Sequence, residues 1–233
     1  MKLPLIASAL LLLAPATLSA AELSPVGTWE ITLSGTENGL AFATFEEDED
    51  LTGYGLSDDA PGIFTLAGTW DIDEKGNLTG SYIRVADGES ITGTLTARLT
   101  GRRITGSIAA ENGNFSFKAR PQGTPRNLTG EWKGLATQDG TSVPQSYTIV
   151  PTALPGVFDI TGSGLSLVPG EFGISGTAVI HSTGKVQLLA ISDFEEQADI
   201  RAALAGTVKT GRARNLLRGF DSTGSPLQVR LTR

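Results

Sequence analysis

Residues 91–99, ITGTLTARL, place Ile91, Gly93, Leu95, Ala97 and Leu99 on one side and Thr92, Thr94, Thr96 and Arg98 on the other. A strict period of two marks a strand with one dry face and one wet face, because successive side chains of an extended backbone point to opposite faces. Residues 64–72, FTLAGTWDI, repeat the pattern, with Phe64, Leu66, Gly68, Trp70 and Ile72 against Thr65, Ala67, Thr69 and Asp71. Between such runs lie DEKGN (73–77), ADGES (86–90), TGRR (100–103) and ENGN (111–114), which supply Gly where a hairpin needs positive φ. The pattern predicts eight strands in the first half, near 26–34, 39–46, 49–57, 62–72, 77–86, 89–99, 102–110 and 113–120. Short hairpins joining that many strands predict an antiparallel up-and-down meander, and closing it into a barrel removes the exposed edges. Gly53, Gly68, Gly80, Gly93 and Gly106 fall on the inward side, where a small barrel bends sharply. Interior positions are predicted to be filled by Leu66, Trp70, Ile72, Leu95, Leu99, Ile104, Phe115 and Phe117.

The second half echoes the first. DLTGYGLS at 50–57 returns as DITGSGLS at 159–166, and VGTW at 26–29 returns as TGEW at 129–132. FTLAGTWDIDEKGNL at 64–78 matches FGISGTAVIHSTGKV at 172–186; GTL at 93–95 is set against GTV at 206–208, and ITG at 104–106 against LRG at 217–219. The landmarks keep one order, as a duplication with loop insertions would. RPQGTPRN, 120–127, reads as the linker between the copies. The expected organisation is a leader over 1–21, one barrel over 22–122 and a second over 127–233. One stretch departs from the pattern: DFEEQADIRAALA, 193–205, predicts a short helix starting at Asp193, with Glu196 completing a capping box, before a strand near Leu204.

The first 21 residues hold one Lys, an apolar run from Leu3 to Ala14 and small residues at Ser19–Ala21, the layout of a secretory signal peptide. That run is about half the roughly 20 residues a membrane-spanning helix needs. The sequence has no Cys, so stability is expected from burial and backbone pairing alone. These features predict a periplasmic or extracellular protein. A sixteen-stranded membrane barrel would carry aromatic girdles and an apolar outer band, which a chain with 6% aromatics does not supply. Charge is uneven: residues 22–126 carry 8 basic and 16 acidic side chains, and residues 127–233 carry 9 of each. The charge balance disfavours nucleic acid as a partner, since phosphate contacts need a basic face.

GTW at 68–70 followed by GNLTGSY at 76–82 resembles the opening of avidin-type biotin-binding barrels, which begin with a Gly-x-Trp strand and soon reach a Thr-Gly-x-Tyr strand. Lipocalins also open on Gly-x-Trp. The resemblance covers about 30 of 233 residues. It implies a calycin-like β-barrel and, carried over residue by residue, a Tyr82 that faces a ligand. The later Trp residues that wall the biotin pocket in that family have no counterpart.

Candidate chemistry is sparse. His181 is the only histidine, in VIHSTGK at an expected hairpin turn, and is read as a solvated turn residue; its match in the first copy is Asp73. No His- or Cys-based catalytic constellation can be assembled, and no cofactor is expected. Paired carboxylates for acid–base work would come from FEEDEDL (45–51) or SDDAPG (57–62), with Asp48 and Asp50 as a calcium candidate. Tyr82, Trp70 and Tyr54 are the candidate ligand contacts. The acidic residues Glu46, Glu47, Asp48, Glu49 and Asp50, opposite Arg212, Arg214 and Arg218, form a candidate interaction patch that could join copies head to tail as a homo-oligomer, fold together within one chain or, as a charge run usually does, stay solvated. The reading is therefore an all-β protein of two tandem, homologous eight-stranded barrels, not membrane-spanning, acting as a non-enzymatic binding or assembly module for another protein or a small ligand. Its rivals are a lipocalin- or avidin-like carrier of a small apolar ligand and a hydrolase using the acidic cluster.

Overall fold

The computed structural model describes residues 23–60, 62–165, 170–193, 199–209 and 215–233. The first half forms β1 (Gly27–Gly35), β2 (Gly39–Phe45), β3 (Asp50–Ser57), β4 (Phe64–Ile72), β5 (Asn77–Ala86), β6 (Glu89–Thr100), β7 (Arg103–Ala110) and β8 (Gly113–Pro121). The second half forms β9 (Gly130–Gln138), β10 (Thr141–Pro151), β11 (Val157–Leu165), β12 (Glu171–Ile180), β13 (Lys185–Asp193), β14 (Ile200–Thr207), β15 (Asn215–Asp221) and β16 (Pro226–Thr232). Within each half every neighbour in sequence pairs antiparallel; β8 returns to β1 and β16 to β9, so each half closes into its own barrel.

The inward side of the alternation becomes the core of each barrel. All eight interior residues expected in the first barrel lie in or against its core, with Ile104 fully buried. Polar residues such as Thr79, Ser81, Thr94, Thr96 and Ser107 are outward and exposed. The β5–β6 turn is Asp87–Gly88, with φ of 50° and 81°; two successive positive φ values give a tight hairpin whose twist matches the strands it joins.

The echoed phrase occupies equivalent strands, β3 and β11, and both of its glycines answer to close approach. A Cβ at Gly53 would lie 2.4 Å from the Phe42 carbonyl oxygen, and one at Gly162 2.2 Å from that of Ser146. A Cβ at Gly55 would strike the Phe64 ring at 2.6 Å, and one at Gly164 the Phe172 ring at 2.3 Å. Each barrel thus seats one Phe ring in the hollow that a glycine leaves on the preceding strand. The Gly-x-Trp motifs that open the two barrels, at 27–29 and 130–132, are seated alike. The Trp29 indole N–H donates to the Pro25 carbonyl at 2.6 Å, and the Trp132 indole to the Leu128 carbonyl at 2.8 Å.

Strand pairing fixes the correspondence between the copies. Trp29 matches Trp132, Gly53 matches Gly162 and Phe64 matches Phe172, in the expected register. The last two landmarks are corrected. Tyr82 and its equivalent Ala190 pair with Gly93 and Ala202, so Gly93 matches Ala202 rather than Gly206. Likewise Gly106 matches Leu217, not Gly219. The start of the expected helix is corrected as well, since Asp193 ends β13; residues 194–198, Glu196 among them, lie outside the described residues, and β14 begins at Ile200.

The barrels share a third, smaller core. Leu40 and Phe42 on the outer face of β2 and Leu56 on that of β3 pack against Val157 and Val179 of the second barrel. Phe42 is fully buried, its ring filling space that a side chain at Gly156 would occupy, 2.7 Å from a Cβ there. These are the strands in which alternation fails: GLAFATF is apolar on both faces because both faces are covered.

Candidate functional site

The barrel interiors are almost filled. The first holds a cavity of about 50 Å³, bordered by Phe64, Leu66, Tyr82, Arg84 and Phe117 among others, and the second one of about 40 Å³. Of the residues expected to meet a ligand, Trp70 and Tyr82 do face inward, but as packed core. The Trp70 indole donates to the Asp50 carbonyl at 3.1 Å and meets the Phe45 ring edge-on. Burial pushes the Tyr82 phenol up to about 12, with Arg84 opposing and Glu37 adding to the shift. Tyr54 faces outward instead. Its hydroxyl donates to the Pro155 carbonyl of the other barrel at 2.9 Å, and burial in that contact raises its pKa.

The mouth of the first barrel holds a charge pair that the sequence reading missed. Arg84 points inward from β5 and binds Glu37, which folds back from the β1–β2 loop; both are buried. Asn112 donates to Glu37 at 3.2 Å and to Asp59 at 3.3 Å, and the Arg84 guanidinium lies 5.3 Å from the centre of the Phe64 ring. Asp58 accepts from the Asn38 backbone and side chain, at 2.8 and 3.0 Å. The SDDAPG carboxylates therefore close a loop rather than face each other across a cleft.

His181 is the clearest correction: it is buried, not solvated. It opens the β12–β13 turn, whose backbone bonds copy those of the β4–β5 turn at Asp73: Gly184 N–H to His181 O at 2.8 Å, and Gly76 N–H to Asp73 O at 2.9 Å. In the first barrel that turn stands in water and Asp73 accepts from the Lys75 and Asn77 amides. In the second it enters the side of the first barrel. His181 Nε2 lies 3.0 Å from the Ala41 carbonyl and the ring meets Phe42 edge-on at 5.1 Å. Glu30, buried on the outer face of β1, accepts from the Ser182 amide at 2.6 Å, the Ser182 hydroxyl at 3.1 Å and Arg120 Nε at 2.8 Å. The change from DEKG to HSTG, which strips the turn of charge, is the signal in the sequence that it is covered.

This clamp has a pH dependence of definite sign. Burial pushes the imidazole down to about 4, against the pull of Glu30 and the Ala41 carbonyl; Arg120 and Lys185 add to the lowering. Burial alone would raise Glu30, but the bonds from Ser182 and Arg120 and the nearby His181 outweigh it and hold it below its ordinary value. Between about pH 6.5 and pH 4 the unfolded chain binds a proton at His181 that the folded chain refuses, so stability falls as pH falls. Glu30 adds to the loss only below about pH 4.5. From pH 6.5 to 5 the expected loss is about 2 kcal/mol. Urea unfolding at both pH values checks it, and His181→Gln should flatten the dependence in that window.

Beside the clamp, the outer faces of β1, β7 and β8 and the β12–β13 turn bound a groove of about 460 Å³. Arg103, Lys118, Arg120 and Lys185 line it with Thr32, Thr105, Thr183, His181 and Glu30. The acidic run lies elsewhere. Glu46, Glu47, Asp48, Glu49 and Asp50 are all exposed on the β2–β3 hairpin, closed by Glu46 N–H to Asp50 O at 2.9 Å. No group of three or more potential metal ligands converges among the described residues, Asp48 and Asp50 included. Arg218 is exposed on β15, and Arg212 and Arg214 lie outside the described residues. The two ion pairs among the described residues, Arg84–Glu37 and Arg120–Glu30, involve neither end of the expected patch.

No protein-family model and no curated protein matches the chain. Among solved structures it is similar to a redesigned β-barrel, mFAP1, bound to DFHBI, at 19% identity over 46% of this chain and 94% of that one, TM-score 0.40. It is also similar to a Bacteroides fragilis protein provisionally named for the outer membrane, at 13% identity over 88% of this chain and 96% of that one, TM-score 0.30. The two-barrel architecture rests on the strand pairing itself.

Proposed function

We propose that the protein is an exported, non-enzymatic binding module: two filled barrels clamped into one body that engages its partner through outer surfaces. The observation that carries this reading is the size of the interiors. Cavities of about 50 and 40 Å³ are well below the roughly 300–1,000 Å³ of ordinary small-molecule sites. An apolar-ligand carrier of the lipocalin or avidin kind would have to displace core side chains such as Trp70 and Phe117. The hydrolase reading has less support, since the carboxylates of 46–50 share one exposed hairpin and His181 is engaged between the barrels. Export is supported by the leader-like pattern of residues 1–21, and the polar outward positions of β6, from Thr92 to Thr100, favour a body in water over one in lipid.

Titration of residues 22–233 with an uncharged apolar fluorophore such as aminoanthracene tests the reading. No saturable binding and no quenching of Trp fluorescence is expected. Equimolar, saturable binding would overturn the proposal in favour of a carrier.

A further inference from the structure

We infer that the groove between the barrels is a binding site for a small, soluble polyanion carrying two or more negative charges, a phosphate ester or pyrophosphate group being the best chemical match. The inference rests on the outer-surface reading above and gives it a ligand class. It starts from charge. The chain has a formal net charge of −7, with the excess of acid in the half that forms the first barrel. Against that background the groove gathers four cations and one carboxylate on its walls. The carboxylate, Glu30, is buried and already answered by Arg120 and by Ser182. Arg103, Lys118 and Lys185 remain, all exposed, and the ion pairs among the described residues include none of them.

Register brings these side chains together rather than scattering them. Lys118 on β8 stands between Thr105 on β7 and Thr32 on β1 as direct cross-strand partners. Lys185 reaches the same row from the second barrel, its ammonium donating to the Thr32 hydroxyl at 3.3 Å. Arg103 precedes Ile104, the partner of Ala119, so it flanks Lys118 and Arg120 on the adjacent strand. Like charges held side by side repel unless an anion lies among them, and a concave site with low-dielectric walls focuses their field. Hydroxyl groups of Thr32, Thr105 and Thr183 add donors for an oxyanion. A monocarboxylate would leave two of three cations unanswered, which favours a dianion or trianion. The volume of about 460 Å³ suits a small molecule, and a protein of this net charge repels a long nucleic acid.

Isothermal titration of residues 22–233 with inorganic pyrophosphate, at low and moderate salt, is the test. One site per chain is expected, weakening as salt is added. Lys118→Gln with Lys185→Gln should weaken it by roughly tenfold or more, the usual effect of losing charge-assisted contacts. Both side chains are exposed, so the double variant should keep the wild-type melting curve, and Lys133→Gln, outside the groove, should bind as wild type. A second arm offers vesicles of phosphatidylglycerol or phosphatidylcholine. Binding to the anionic vesicles without binding of pyrophosphate would overturn the proposal in favour of a lipid headgroup. Absence of both, or pyrophosphate binding that survives the double substitution, would also overturn it. The aminoanthracene titration reads the interiors and this one reads the groove, so the two readings fail separately.

Discussion

Replacing Trp70 with alanine is expected to lower the unfolding free energy by about 3–5 kcal/mol, the usual cost of truncating a large buried aromatic. Trp70 lies on β4 facing inward, 7% exposed, with Phe45 edge-on at 5.7 Å between ring centres. Its loss leaves a void the barrel wall cannot collapse into, because the backbone is held by the ladders to β3 and β5. It also leaves the Asp50 carbonyl without the indole donor. Urea unfolding followed by far-ultraviolet circular dichroism measures the change. A near-neutral result would mean that Trp70 lines an open calyx instead of a filled core.

A second large effect is expected at Glu37. Glu37→Ala leaves the Arg84 guanidinium buried in the barrel mouth with its carboxylate gone, and removing one partner of a buried pair costs about 3–5 kcal/mol. Replacing both partners, Glu37→Leu with Arg84→Met, should recover most of that loss, because the penalty comes from the uncompensated charge rather than from the missing attraction. If Glu37→Ala alone unfolds at the wild-type urea concentration, Arg84 has found water, and the mouth of the barrel is open.

Strand positions were legible in the sequence because most strands of the first barrel keep one face dry and one wet, as at Ile91 to Leu99, and because Asp87–Gly88 can form little but a tight turn. The equivalence of β3 with β11 was legible from the paired glycines. The register of the late landmarks was not. The slips at Gly93 and Gly106 are of four residues and two, and an even slip keeps every side chain on its own face, so alternation cannot detect it. The inter-barrel contact was written in two places that reading each barrel by itself passes over: the strand GLAFATF, apolar on both faces, and the turn HSTG, which lost the charges of DEKG. Glu37 gave no local sign at all. It sits in a short polar loop, and its partner is 47 residues away on β5. Of the residues singled out for binding, Trp70 and Tyr82 belong to the core and Tyr54 to the barrel contact. The cations of the groove come from β7, β8 and β13, which only closure of the first barrel and docking of the second place side by side.

The central claim, that binding happens outside filled barrels, is tested most directly by assigned amide spectra of residues 22–233 titrated first with aminoanthracene and then with pyrophosphate. The account predicts that amides of interior positions such as Leu66, Leu95, Ile160 and Leu204 stay in place throughout, while Thr105, Lys118 and Thr183 shift with pyrophosphate. Saturable movement of the interior amides with the apolar probe would contradict it.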